Sequence, residues 1–188
     1  ITFGGGQYRI EQIGSDFLNL LVINHESRKM QSRKFREALA LGIDKEAFED
    51  EWEATMLHGA LSSANNFYNE NIVPRGYDPD KAKFHLKKAG MENLTVKLST
   101  SEGIWEGAVD AATLYSESAA KAGINLEVNK VPNDGYWSNI WLKHPWSASY
   151  WSGRATEDWM FTSAYAAGGS WNETRWAHPR FNELLKAA

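Results

Sequence analysis

The sequence predicts an α/β fold, and three observations carry that expectation. Residues 94–100 and 124–131 each alternate or run apolar as strands do, and a long apolar stripe at helical spacing lies between them. A helix joining two strands over about 30 residues implies a crossover and a parallel strand pair. Further capped helices precede and follow this unit, and no linker long enough to divide the 188 residues interrupts them. One α/β domain is the expected architecture.

Taken in order, residues 1–14 read as a polar, glycine-rich connector. Gly4-Gly5-Gly6 lacks the spacing of a phosphate-binding loop. Residues 17–24 (FLNLLVIN) have the length and branching of a buried strand. A helix over 31–42 places Phe35, Ala38, Leu39 and Gly42 on one stripe. Asp44 is suited to cap the next helix, with Ile43 and Phe48 as a hydrophobic staple and Phe48, Trp52 and Met56 along its face. Residues 57–76 read as a polar and aromatic loop. Asp78 then caps a helix carrying Pro79 at its first position, and Gly90 ends it.

In the central unit, Ile104, Ala108, Ala111, Ala112, Tyr115, Ala119 and Ala122 form the helical stripe, and Gly123 stops it. A short helix over 136–142 follows, with Trp137 and Trp141 expected in the core. The run SASYWSG is the next strand. Thr156 is placed to cap a helix whose first turn holds Glu157 and Asp158, favourable at the positive end of the helix dipole. Pro179 opens the last helix, packed through Phe181, Leu184 and Leu185.

Composition narrows the function classes. The net charge of −4 is spread evenly and no run of basic residues builds a nucleic-acid face. No apolar run approaches the roughly 20 residues of a membrane-spanning helix. Without cysteine, disulfides, thiolate metal sites and cysteine nucleophiles are excluded. His25, His58, His85, His144 and His178 are scattered, and no metal or other cofactor is expected. The first residue is Ile1 and the last turn reads as mid-helix, so a piece of a longer protein is expected.

Residues 146–180 draw the functional reading. They hold Trp146, Trp151, Trp159, Trp171 and Trp176 of the nine tryptophans, interleaved with glycines and hydrogen-bonding groups. Aromatic walls with sparse polar groups describe a small-molecule site. Trp151, where a strand gives way to a loop, and Trp171, after Gly168-Gly169-Ser170, are candidates for stacking on a ligand. Trp171 and Asn172 either contact the ligand, with Asn172 orienting it, or are an ordinary buried indole beside a turn-forming Asn. Arg154 either grips a carboxylate or phosphate or forms a surface pair with Glu157 or Asp158.

Three phrases then carry a resemblance. KFREALALGIDKEAF (34–48) resembles the helix pair after the first strand of the second lobe in the oligopeptide/dipeptide/nickel class of solute-binding proteins of ABC importers. YDPDKAKFHLKKAG (77–90) is similar to that family's "Y-D-P-x-K-A-K … L … A-G" helix. HPRFNELLKAA is similar to its closing helix, with Asn182 where aspartate is usual, and the ordered match spans roughly residues 17–188. The resemblance implies a periplasmic-binding-protein-like lobe, a mixed sheet with helices packed on both faces. Residues 1–188 would form the second lobe of a bilobal protein, with 1–14 connecting to the other lobe. It further implies an extracytoplasmic location, a peptide or small solute enclosed between lobes, a membrane-embedded ABC permease as partner, and a monomer when full length. Nucleic acid and catalysis are not implied. Many peptide-binding relatives carry an aspartate three residues after the strand-ending tryptophan, where it meets the peptide's α-amino group. Arg154 stands there in this chain and cannot accept an ammonium group.

Two other classes compete. Glu102, Glu106 and Asp110 at four-residue spacing would share a helix face, as acid/base carboxylates of a glycan-active enzyme do. A protein-interaction module with tryptophan hot spots is the third reading.

Overall fold

The computed structural model describes residues 18–52, 67–73, 75–152, 154 and 156–187. The expected connector, Met56 and most of the expected 57–76 loop lie outside the described residues. Four strands make one mixed sheet in the order β1-β4-β2-β3: β1 (Leu18–Ile23), β2 (Thr95–Thr100), β3 (Asn125–Lys130) and β4 (Trp146–Trp151). β2 and β3 run parallel in register from Thr95↔Asn125 to Thr100↔Lys130, as the intervening helix requires. β4 lies parallel to β2 at Ser99↔Ser147, and β1 runs antiparallel to β4 from Leu18↔Trp151 to Ile23↔Trp146. The carboxyl ends of β2, β3 and β4 therefore share one edge of the sheet.

Alternation along β4 divides the protein into layers. Trp146 and Ala148 point to one face, where α1 (Arg33–Leu41), α3 (Pro79–Ala89) and α4 (Ala108–Lys121) build the main core around Phe35, Leu39, Leu86, Leu98 and Tyr115. Trp146 meets Tyr115 edge-to-face at 5.6 Å. Ser147, Ser149 and Trp151 point to the other face, where Trp151 packs against Met160 and Ala164 of α6 (Glu157–Ala164). Helices thus cover both faces, which is why β4 is buried from Trp146 to Ser149.

Local signals set the helix ends. Ser32 caps α1, its Oγ accepting from Phe35 N at 3.3 Å. Asp44 Oδ1 accepts from Ala47 N at 3.3 Å ahead of α2 (Lys45–Trp52), whose Phe48 joins the main core with Ile43 beside it. Asp78 accepts from Lys81 N at 2.8 Å, and Gly90 closes α3 in the left-handed region at φ 66°. Thr156 caps α6 through Trp159 N.

Three expectations are corrected. α4 starts at Ala108 rather than near Ile104, because Gly107 adopts φ 83°, outside helical space. Glu102 and Glu106 consequently precede the helix instead of sharing a face with Asp110, and Glu102 pairs with Lys130 at 2.5 Å. The short helix α5 covers only Tyr136–Asn139, so Trp141 lies beyond it, and Trp137 is 41% exposed rather than core. The last helix, α7 (Pro179–Ala187), buries no residue fully and leaves Leu184 exposed; Phe181 is its anchor, packed on Phe161 and Trp176.

Two outcomes follow from this packing. A Cβ on Gly42 would sit 2.7 Å from Ile124 Cδ1 and 3.3 Å from Ala122 Cβ, so Gly42→Val should cost about 1–3 kcal/mol in denaturant unfolding. Tyr115 and Tyr136 are buried, and burial pushes both phenols above their ordinary value. Their folded pKa exceeds the unfolded one, so this stabilisation is whole below about pH 10 and is lost as pH rises past it. Alkaline melting curves should show that fall, and Tyr115→Phe plus Tyr136→Phe should flatten it.

Candidate functional site

The site begins with a carboxylate that the sequence pattern did not single out. Glu173 is 7% exposed, yet no cation pairs with it among the described residues. Neutral donors surround it instead. Trp141 Nε1 and Ser149 Oγ both donate to Oε1, and Trp151 Nε1 donates to Oε2 at 2.9 Å. β4 supplies Ser149 and Trp151 from one face, two residues apart, while the crossover from β3 to β4 supplies Trp141. The burial of Tyr165 nearby, reinforced by the Glu173 charge, raises its phenol above the ordinary value.

The loop that carries Glu173 is built by its neighbour. Asn172 is 2% exposed, and its Nδ2 donates to the carbonyls of Trp176 at 2.7 Å and Ala166 at 3.1 Å. Its Oδ1 accepts from Thr174 Oγ1 at 3.0 Å, and Thr174 Oγ1 accepts from Trp176 N at 3.1 Å. The Asn172 amide is therefore committed to backbone and loop. It shapes the segment rather than projecting outward. Asn182 ties the same loop to α7, its Oδ1 accepting from Ala167 N at 2.8 Å.

Trp151 and Trp171 do come together. Their rings lie 5.9 Å apart at 58°, with Trp151 buried against α6 and Trp171 49% exposed. Arg154 joins them from the start of the loop after β4. Its guanidinium sits 5.1 Å from the Trp151 ring and 5.5 Å from the ring of Trp159, which is 54% exposed. One terminal nitrogen donates to Ser152 Oγ at 3.0 Å, while Nε is buried without a hydrogen-bond partner among the described residues. Neither Glu157 nor Asp158 forms an ion pair with Arg154 among the described residues. Two indoles thus hold a cation that forms no ion pair among the described residues, at the sheet edge where α/β folds place their ligands.

Trp159 and Glu173 are what sequence reasoning missed. Trp159 follows the Thr156 cap by three residues, which places it in the first turn of α6; only the return of Arg154 makes it part of this wall. Glu173 sits in the surface-like triplet Asn172-Glu173-Thr174, and nothing local announces that it turns inward.

Residues 7–173 match the family described as Bacterial extracellular solute-binding proteins, family 5 Middle. Among curated proteins, the chain is 25% identical over 181 residues to the Peptide transport periplasmic protein SapA of Salmonella typhimurium, covering 89% of this chain and 33% of that protein. It is 31% identical over 134 residues to the Di/tripeptide-binding protein 4 of Pseudomonas aeruginosa, covering 64% of this chain and 24% of that one. The fold superposes on the periplasmic binding protein DppA of Helicobacter pylori, solved with the peptide STSA, with a TM-score of 0.80 and 22% identity over 92% of this chain and 35% of that one. NikA of Staphylococcus aureus, solved with Ni(L-His)2, gives 0.77 and 23% over 92% and 38%. The chain spans about a third of the length of SapA and about a quarter of that of the di/tripeptide-binding protein.

Replacing Glu173 leaves two buried donors, Ser149 and Trp151, and the part-buried Trp141 without an acceptor, each buried one worth about 1–3 kcal/mol. Glu173→Ala should therefore lower unfolding stability by about 3 kcal/mol and red-shift tryptophan emission as Trp141 and Trp151 gain water.

Proposed function

The chain belongs to family 5 of the bacterial extracellular solute-binding proteins, and we propose that it forms the second lobe of a bilobal, extracytoplasmic protein. That protein captures a peptide or other small solute in the cleft between its lobes and passes it to the membrane-embedded permease of an ABC importer, working as a monomer. Residues 1–14 connect this lobe to the other. The peptide-related names of the two curated relatives support peptides as the first solute class to test.

The observation that carries the reading is the wall of Trp151 and Trp171 with Arg154 stacked on it at the carboxyl edge of the sheet. Trp171 presents its exposed ring to the solute, and Trp151 backs it. Arg154 receives an anionic group, bidentately where that group is a carboxylate. Asn172 acts one step removed, holding the loop that aims Trp171. No bond is broken: the site has an aromatic platform and a fixed cation, and closure of the lobes excludes water. Neither the paired-carboxylate enzyme nor the interaction module gains support from the family match. The enzyme reading also loses its helix face, since Glu102 and Glu106 precede α4.

Tryptophan fluorescence of the full-length protein, titrated with pools of peptides, oligosaccharides and carboxylate-bearing solutes, tests this. A saturable change is expected in a pool whose members carry a free carboxylate. Arg154→Ala should weaken that binding about 10- to 100-fold, the range of a charged hydrogen bond. Trp171→Ala should weaken it with little change in melting temperature, since its ring is half exposed. A flat response across all pools would overturn the reading.

A further inference from the structure

A second concentration of charge lies between α1 and α3, well away from β4 in the sequence and built from different elements. A groove of about 600 Å³ is lined there by Arg33, Lys34, Arg75, Lys81, Glu37 and His85, with Val73 and residues 75–78 at its rim. Four cations thus meet two carboxylates, Glu37 and Asp78, in a protein whose overall charge is −4. Asp78 is held as the α3 cap, its Oδ1 2.8 Å from Lys81 N. Glu37 takes Arg33 Nε at 2.9 Å and Lys34 Nζ at 2.8 Å, and those two cations hold its carboxyl below the usual carboxylate value.

Arg75 and Lys81 have no acidic partner among the described residues. The positive surplus is felt next door. Lys45, whose Nζ donates to Arg75 O at 2.8 Å, is lowered below the ordinary lysine value by burial and then by the Arg75 charge. His85, also lining the groove, is 8% exposed, and its Nδ1 is buried without a hydrogen-bond partner among the described residues. That nitrogen lies 3.3 Å from Glu37 Oε2 but lacks the alignment of a hydrogen bond. A buried ring nitrogen without an aligned hydrogen bond lines the same groove as Arg75 and Lys81, so the groove holds a polar group with capacity for a further contact.

We propose that this groove is a second binding site, for a phosphate-class dianion. A guanidinium fork and an ammonium, Arg75 and Lys81, match two oxyanion oxygens, and the surplus of two positive charges matches a dianion. Arg33 and Lys34, steered by Glu37, close the field from the α1 side. The dianion is either free in solution or the headgroup of an anionic lipid, and both present the same oxygens. The site is independent of solute capture at Trp151.

Isothermal titration of the full-length protein with inorganic phosphate at low ionic strength tests it, alongside the Arg75→Ala/Lys81→Ala double variant. Saturable one-to-one binding, weakened tenfold or more in the double variant while its melting temperature without phosphate and its solute-induced fluorescence change stay as in wild type, is the expected result. A second arm mixes the protein with vesicles containing phosphatidic acid, whose phosphomonoester headgroup can carry the same two negative charges. Co-sedimentation that inorganic phosphate competes away supports the headgroup as the source, whereas phosphate binding without co-sedimentation supports the free ion. Absence of saturable phosphate binding, or binding untouched by the double variant, overturns the proposal. Loss of solute response with phosphate binding retained would overturn the solute-capture reading alone.

Discussion

The burial of Glu173 is the constraint on which the candidate site depends. A carboxylate removed from water is costly unless its oxygens are hydrogen-bonded, and among the described residues no cation pairs with it. Trp141, Ser149 and Trp151 must all reach it. Satisfying one charge therefore fixes the roll of β4, the path of the crossover that precedes it and the depth of the 165–176 loop. Hydrogen bonds to a charged group contribute about 1.5–3 kcal/mol each, more than neutral ones, which is why neutral donors suffice. The indole of Trp151 is oriented from its nitrogen by Glu173 and from its ring by Met160 and Ala164, leaving it little freedom to turn.

Around that anchor the sheet supplies direction. Because β2, β3 and β4 are parallel, their carboxyl ends open on one edge, and the loop that leaves β4 carries Arg154 there. β4 is covered on both faces, so its backbone is a rigid platform, and Trp151 and Arg154 inherit that rigidity at its end. Asn172 extends the order to Trp171 by giving its amide to backbone carbonyls of the same loop. A half-exposed ring on a stiff loop loses little entropy when something stacks on it.

Much of the fold was legible because its signals are local. Asp78 followed by Pro79, Gly90 at the helix end and Thr156 ahead of Glu157 each act within one turn of chain, and each stands where expected. The parallel pair followed from a helix joining two strands. The errors share a cause too. The stripe from Ile104 to Ala122 reads as one helix by spacing, yet Gly107 takes a left-handed φ and delays α4 to Ala108, with Ile104 buried from a preceding turn. Trp137 and Trp141 have helical spacing, but α5 ends at Asn139, and Trp137 instead meets Trp141 and Tyr150 edge-on at 5.7 and 5.5 Å. Apolar periodicity reports which residues prefer burial, not where the backbone stops turning.

The sequence by itself determined the α/β class, most helix ends and the tryptophan-rich stretch in which Trp151, Arg154 and Trp171 lie. Such features depend on residues a few positions apart, whose physics is set by bond geometry and capping. Only tertiary structure decided that Asn172 turns into its loop, that Glu173 gathers donors from as far back as Trp141, and that Trp159 closes on Arg154. It also decided that Arg33, Lys34, Arg75 and Lys81, unremarkable along an evenly charged chain, converge on one groove. Charges and hydrogen bonds act through space over a few ångströms, and which groups come that close is set by how helices pack on a sheet, which no local spacing records.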